Sequence, residues 1–504
     1  MLRKSVILAV VAGAVVSLAA PASASGSTVD LGACPAEVAS PELRCASVEV
    51  PLDYRHPDAA KIHVEISRLP SKDPAKRRGV LVFNPGGPGG PGLDFPLEWA
   101  RAGMSTSVLA EYDLIGFDPR GIGYSTPVSC NLTDAQLPIF PKYAYDSADV
   151  TKAAAAAEQV AQQCATSKSA PLLPFLTTAN TARDLDRIRE ALGEQKISYY
   201  GASYGTYLGG VYSTLFPSRT DRIVLDSITG PGGLDLAAAR RFGEGMEQRF
   251  PDFAKWAAAR NATYGLGATP AEVTATYHRL ATRLDRQPLG TLDGSVFRQS
   301  SFSLVYSNSS FPTLAQLWQG LQRGEAGPLP APEGGETDLQ SQKSTMISVV
   351  CGDNAWPRSI DTYQRNVATD RVRHPLFGAG VANVWPCASW PGAPLEKPVR
   401  FSDQGPSNLL LVNNTRDPGT PLSGALETRR LFGDRARMVT VDQGGHGVWL
   451  PTLNACGYNA VTRFLVDGTR PAADTFCGAE TASARQVNAS QAEAVAKVQA
   501  RLAE

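Results

Sequence analysis

The chain has no excess of charge of either sign: 48 Lys plus Arg balance 48 Asp plus Glu. With no net basic field to draw the surface as a whole to DNA, RNA or an anionic membrane, no nucleic-acid partner is expected. Beyond Ala20 no uninterrupted apolar run approaches the roughly 18 residues of a membrane span. Histidine is scarce, at 5, and the 8 cysteines contain no C-x-x-C pair and do not cluster with the histidines, so no metal is expected. What is present is a chain of 504 residues, 43% hydrophobic and 19% charged, which excludes wholesale disorder, collagen and coiled coil and leaves a globular protein. The length suits one large domain with an insertion, or two to three domains.

Arg3 and Lys4 precede an apolar run from Val6 to Ala20, and Ala22-Ser23-Ala24 then supplies the small residues of a cleavage site. Residues 1–24 therefore read as a secretory signal, with no stable membrane association expected once it is cleaved. An oxidising destination makes disulfides the default for the cysteines. Loop-closure economy favours neighbours, pairing Cys34 with Cys45, Cys130 with Cys164, Cys351 with Cys387 and Cys456 with Cys477.

Short β-branched or aromatic runs, most of them ending at or just before Gly, Pro or Asp, resemble buried parallel strands: 62–67, 79–84, 112–118, 197–201, 222–226, 409–413 and 437–441. Helical stretches such as 151–167 and 181–192 lie between some of them, and this alternation predicts an α/β fold with a mostly parallel sheet. From about Gly230 to Arg400 the rhythm breaks. Helical patches at 240–259 and 271–284 and a Gly/Pro/Glu-rich loop at 324–337 predict an inserted cap. The expected organisation is signal (1–24), first part of the core (25–230), cap (231–400), second part of the core (401–480) and a C-terminal helix or tail (481–504). With Val495, Val498 and Leu502 on one side, that tail reads as peripheral rather than functional.

Gly201-Ala202-Ser203-Tyr204-Gly205 follows a strand-like run and opens a helix-compatible stretch, the setting in which G-x-S-x-G exposes a nucleophilic serine on a tight turn. A serine hydroxyl needs a base, usually a histidine held by a carboxylate. In this arrangement the chain order is Ser, acid, His; His56 and His63 precede the serine, and His278 and His374 fall in the insertion. His446, in Gln443-Gly444-Gly445-His446-Gly447 after a strand, is the candidate base. Asp417 follows the strand 409–413 and lies 29 residues before His446, one strand-helix-strand crossover, so the two loops should emerge side by side. Asp226, at the end of the strand after the serine helix, is the rival acid.

Asn84-Pro85-Gly86-Gly87-Pro88-Gly89-Gly90-Pro91-Gly92 follows another strand and bares backbone N–H groups. Gly87 N–H with Tyr204 N–H is the expected pair of oxyanion donors. No Gly-Lys-Ser/Thr ending makes this a phosphate loop, and no cofactor is expected. In the loop 118–125, Asp118 and Arg120 are expected to pair and brace their neighbours.

The NPGGPGGPG loop, DPRGIGYS, GASYGTYLG around Ser203, NNTRDPGTP around Asp417 and GGHGVW around His446 together resemble the secreted tripeptidyl aminopeptidases of actinomycetes, relatives of the prolyl aminopeptidases in the α/β-hydrolase superfamily. The matching pieces span roughly residues 45–460, and Pro85 stands where prolyl aminopeptidases carry a His. The resemblance implies an α/β-hydrolase fold with a largely helical cap. It also implies removal of short peptides, tripeptides in that family, from substrates with a free N-terminus, by acylation of Ser203 with His446 as base and Asp417 orienting it. Such an enzyme needs a carboxylate for the substrate ammonium. Glu244, Glu247 and Asp353 are candidates, though each reads more simply as a surface charge or helix-end residue; Trp318 and Trp356 read as core. The alternatives are an esterase or broad acyl hydrolase using the same three residues, and a non-catalytic binding protein on the scaffold.

Overall fold

The computed structural model describes residues 29–38, 40–138, 140–325, 336–480 and 488–503. The expected signal 1–24 and most of the expected loop 324–337 lie outside the described residues. Among the described residues nine strands form one sheet: β1 (Arg44–Pro51), β2 (Lys61–Leu69), β3 (Gly79–Asn84), β4 (Tyr112–Phe117), β5 (Ile197–Ala202), β6 (Thr220–Asp226), β7 (Leu409–Arg416), β8 (Ala436–Gly444) and β9 (Thr475–Cys477). Their spatial order is β1-β2-β4-β3-β5-β6-β7-β8-β9. Only the pairs β1/β2 and β2/β4 are antiparallel. The chain therefore folds as α/β with a mostly parallel sheet.

The seven strands read from the sequence all form within a few residues of their expected bounds. The central ones are buried on both faces, which is why they read as near-continuous apolar runs. The two edge strands, β1 and β9, escaped the sequence reading. β1 alternates exposed and buried residues, and β9 is only three residues long with two of them exposed. Disulfides sit at both edges, Cys34–Cys45 on β1 and Cys456–Cys477 on β9. The other two bridges are Cys130–Cys164 and Cys351–Cys387, so all four join neighbours in the sequence.

The helices used below are α1 (Phe95–Arg101), α2 (Thr178–Ala191), α3 (Tyr204–Leu215), α4 (Leu236–Ala258), α5 (Glu336–Asp353), α6 (Leu422–Phe432) and α7 (Ala489–Ala503); others are named by their residues. Helices 147–166 and α2 begin earlier than the apolar spacing suggests because their N-caps set the start. The Asp146 carboxylate accepts the amides of Ala148 and Asp149, and the Thr177 hydroxyl accepts that of Asn180. One face of the sheet packs on α2 and α3, with Leu185, Ile188, Leu208 and Val211 against Val82, Tyr199 and Leu225. The other packs on α1 and α7 around Phe83, Trp99, Tyr200 and Trp449. A third core lies within the helical segment between β6 and β7, where Phe250, Phe253, Tyr277, Phe297 and Trp318 contact one another. Trp318 is fully buried there, and Trp356 is buried with its indole N–H donating to the Val350 carbonyl.

Candidate active site

Because β5, β6, β7 and β8 are parallel neighbours, their carboxyl ends deliver Ser203, Asp226, Asp417 and His446 to the same edge of the sheet. Ser203 occupies the turn from β5 into α3 with φ 55° and ψ −128°, a conformation that side-chain-bearing residues rarely adopt. The flanking glycines make room for it. A Cβ on Gly201 would lie 2.3 Å from the Gly205 carbonyl oxygen, and one on Gly205 would lie 2.7 Å from the Asn84 carbonyl oxygen. Every residue from Ile197 to Ser213 is buried except Ser203, and its side chain does not cap the helix behind it. Ser203 is thus the one partly exposed residue of an otherwise closed element.

His446 is 4% exposed. Its Nδ1 lies 2.8 Å from Asp417 Oδ1 and 2.9 Å from Oδ2, with the Thr420 hydroxyl at 3.4 Å. Asp417 Oδ1 also accepts the amides of Gly419 (3.0 Å) and Thr420 (2.9 Å), which fixes the carboxylate in its own turn. Asn414 ties this turn to the histidine loop by donating to the carbonyls of Gly445 (2.8 Å) and Gly447 (2.9 Å). From the insertion, the Tyr306 carbonyl accepts the His446 amide at 2.9 Å and the Tyr306 ring lies over the imidazole at 5.0 Å. His446 Nε2 is buried and hydrogen-bonds nothing among the described residues.

Asp226 does not hydrogen-bond His446 among the described residues. Its backbone carbonyl accepts the Ser203 amide at 3.0 Å, while its carboxylate takes the amides of Val448 (2.9 Å) and Trp449 (2.9 Å) and the Tyr200 hydroxyl (2.9 Å). Burial pushes its carboxyl above the ordinary range. It is a brace that joins the serine turn to the histidine loop.

The glycine-rich loop closes against the serine turn. A Cβ on Gly86 would lie 2.9 Å from Ser203 Cβ and 3.4 Å from the Tyr204 nitrogen, and Gly86 and Gly87 both have positive φ, at 118° and 100°. Asp118 holds the far end of this loop through the Gly92 amide (2.8 Å) and also accepts the Tyr124 amide (3.0 Å). Burial raises its carboxyl to about 6.

The expected pairing of Asp118 with Arg120 does not form. Arg120 turns the other way and forks onto Asp184 of α2 at 2.6 and 2.7 Å, with further bonds to the carbonyls of Pro51, Leu52 and Phe175. Both still brace loops.

The three insertion carboxylates have different neighbours. Glu247 accepts the Leu376 amide at 2.8 Å and is pushed up to about 7 by burial; Glu244 bonds Gln248 and the Ser423 hydroxyl. Asp353, at the end of α5, is committed behind the serine turn. It accepts the Thr178 amide (2.8 Å) and hydroxyl (2.5 Å), and that hydroxyl in turn bonds the Tyr204 hydroxyl. Burial raises the Asp353 carboxyl to about 7. The Asp226 brace, the Tyr306 cover and the Asp353–Thr178–Tyr204 chain were not legible in the sequence, because each joins residues far apart in the chain. Among the described residues no group of His, Cys, Asp and Glu could hold a metal ion, and no helix is long and apolar enough to cross a membrane.

A serine on a strained turn after the fifth strand of such a sheet, with a histidine and a carboxylate in contact on the loops after β8 and β7, defines the α/β-hydrolase class. More narrowly, the chain belongs to the family of the tripeptidyl aminopeptidases, serine hydrolases of this fold. It is 34% identical to the tripeptidyl aminopeptidase of Streptomyces lividans over 91% of this chain and 88% of that protein. It is 28% identical to the serine protease Hip1 of Mycobacterium bovis over 86% of this chain and 87% of that protein. It is also 31% identical to a Mycobacterium tuberculosis protein named carboxylesterase B, over 86% of each chain. Residues 374–477, which carry Asp417 and His446, match the family described as TAP-like protein.

Proposed function

We propose that the protein is a secreted serine exopeptidase that releases short peptides, most simply tripeptides, from the free N-termini of peptides and proteins. Ser203 attacks the scissile carbonyl, His446 Nε2 takes its proton and returns it to the leaving amine, and water then hydrolyses the acyl-enzyme with His446 again as base. Asp417 on Nδ1 holds the ring with Nε2 as acceptor and stabilises the imidazolium. The amides of Gly87 and Tyr204 receive the oxyanion, each contributing about 3–4 kcal/mol to the transition state. The observation that carries this reading is the buried Asp417–His446 contact at the same sheet edge as a half-buried Ser203, with Nε2 unengaged among the described residues. The helical segment 231–400 serves as the cap that limits substrate reach, a role supported by Tyr306 lying on the imidazole. Export is supported by the basic and apolar start of the sequence and by four disulfides with no free cysteine among the described residues.

The test compares a tripeptide chromogenic amide bearing a free N-terminus with its N-acetylated twin, on the mature protein and on Ser203→Ala. Turnover of the free form alone, lost in the variant, is expected. Equal turnover of both would remove the ammonium requirement. The name of the carboxylesterase relative favours one second reading, an acyl-ester hydrolase with the same residues; turnover of esters with neither amide cleaved would establish it instead.

A further inference from the structure

The C-terminal helix α7 does not end on an inert surface. Its apolar side, Val495, Val498 and Leu502, is buried in the core that contains Phe95, Trp99 and Trp449. Its last two turns then reach three separate walls of the candidate site. Arg501 donates to the Pro91 carbonyl in the glycine-rich loop, to Asp94 at the start of α1 at 3.0 Å, and lies 3.6 Å from Glu98. Leu502 packs on the residue after the histidine so closely that a Cβ on Gly447 would lie 2.9 Å from its Cδ1. The Gln499 side-chain carbonyl accepts the hydroxyl of Ser309 at 2.9 Å, three residues beyond the Tyr306 that covers His446.

We propose that α7 is an active-site element and that Arg501 is a positioning residue, which locks the glycine-rich loop against Ser203 and, with Leu502 and Gln499, keys that loop to the His446 turn and the Tyr306 turn. The guanidinium side chain is only 6% exposed, and its planar fork suits a carbonyl and a carboxylate held side by side. A glycine-rich segment has many backbone states of its own. Its carbonyl at Pro91 and its continuation at Asp94 are therefore pinned at two points by one rigid group from outside the loop. The consequence falls on alignment of backbone donors, and so on the acylation step, more than on the affinity for substrate.

This inference rests on Ser203 being the nucleophile, and the experiment separates the two. Full-length Arg501→Gln, Arg501→Lys and Val495→Ala are compared with wild type by thermal melting, by kcat and KM on the tripeptide amide, and by the rate at which a fluorophosphonate labels Ser203. Arg501→Gln is expected to slow both labelling and kcat by about ten- to a hundredfold, the scale of a loop displaced by up to 1 Å, with KM little changed. Arg501→Lys restores part of the rate because it keeps a donor for Asp94 but not the fork. Val495→Ala, a truncation of the same helix on its core side, lowers the melting temperature and leaves the labelling rate at wild-type level below it. Labelling of Arg501→Gln at the wild-type rate, or a slowing matched by Val495→Ala at equal loss of melting temperature, would overturn the proposal and leave the nucleophile reading intact. Failure of wild type itself to be labelled at Ser203 would overturn that reading and this one with it.

Discussion

The sharpest test of the site sets two buried aspartates against each other. In Asp417→Asn the remaining oxygen can still accept the amides of Gly419 and Thr420, so the turn keeps its shape. The new NH2 group, however, faces His446 Nδ1, 2.8–2.9 Å from the present carboxylate oxygens. Nδ1 must then accept instead of donate, which moves the ring proton to Nε2 and removes the base proposed for Ser203. The same tautomer reversal in the chymotrypsin-type triad costs about 10⁴ in kcat, which is about 5.5 kcal/mol at 1.36 kcal/mol per decade. Asp226→Asn does something different. Its carboxylate serves four buried donors, the amides of Val448 and Trp449 and the hydroxyls of Tyr200 and Ser227. An amide has one acceptor oxygen and presents two donors, so at least one partner is stranded at about 1–3 kcal/mol. The prediction is therefore a folded, thermally stable Asp417→Asn with kcat down about 10⁴-fold, and a destabilised Asp226→Asn that loses less turnover below its melting temperature. Measured kcat and melting curves for the two variants decide it. Loss of turnover in Asp226→Asn at an unchanged melting temperature, with Asp417→Asn within about tenfold of wild type, would refute the assignment of the acid.

Three further outcomes follow from individual contacts. Gly86→Ala would push a methyl into Ser203 Cβ and the Ala202 carbonyl, both at 2.9 Å, from a backbone at φ 118°; fluorophosphonate labelling should fall by about 10²-fold or more, and labelling within twofold of wild type would count against the loop's role. Arg120→Ala leaves Asp184 buried without its cation, a loss of about 3–5 kcal/mol in stability, read by denaturant unfolding; a change below about 1 kcal/mol would show the pair to be dispensable. Burial holds Asp353 neutral up to about pH 7 in the folded chain, whereas the unfolded chain ionises it in the ordinary carboxylate range. The folded state thus binds the extra proton, so this contribution is fully present at low pH and is lost as pH rises through about 7. Asp353→Asn, which cannot ionise, should gain melting temperature relative to wild type between about pH 4 and about pH 7 and hold that gain above it; a constant difference from about pH 4 to about pH 7 would contradict the shift.

How far the sequence reaches is visible in particular elements. The buried strands, the turn around Ser203 and the disulfide pairing depend on local pattern or short chain separation, and these are legible from one sequence. Edge strands β1 and β9 are not, because their half-exposed or very short runs carry no continuous apolar signal. Helix starts differ from the apolar spacing where an N-cap, Asp146 or Thr177, sets the first turn. Asp118 and Arg120 brace loops as expected but not by pairing with each other, and their actual partners are not legible in the sequence. Gly92 lies 26 residues from Asp118, and Asp184 lies 64 from Arg120. The last helix shows the same limit: its apolar stripe reads as a peripheral helix or tail, and nothing in the stripe tells that it packs into the core beside Trp99 and Trp449. By itself the sequence determined the class of fold, the candidate chemistry and the order of its residues, since these rest on residue types at short or fixed spacing. Only the tertiary structure decided that Asp417 and not Asp226 meets the imidazole, that Asp353 supports the turn from behind, and that Arg501 grips the glycine-rich loop. Such contacts are set by which strands become neighbours and where packed helices end, and no local pattern encodes the distance between two remote residues.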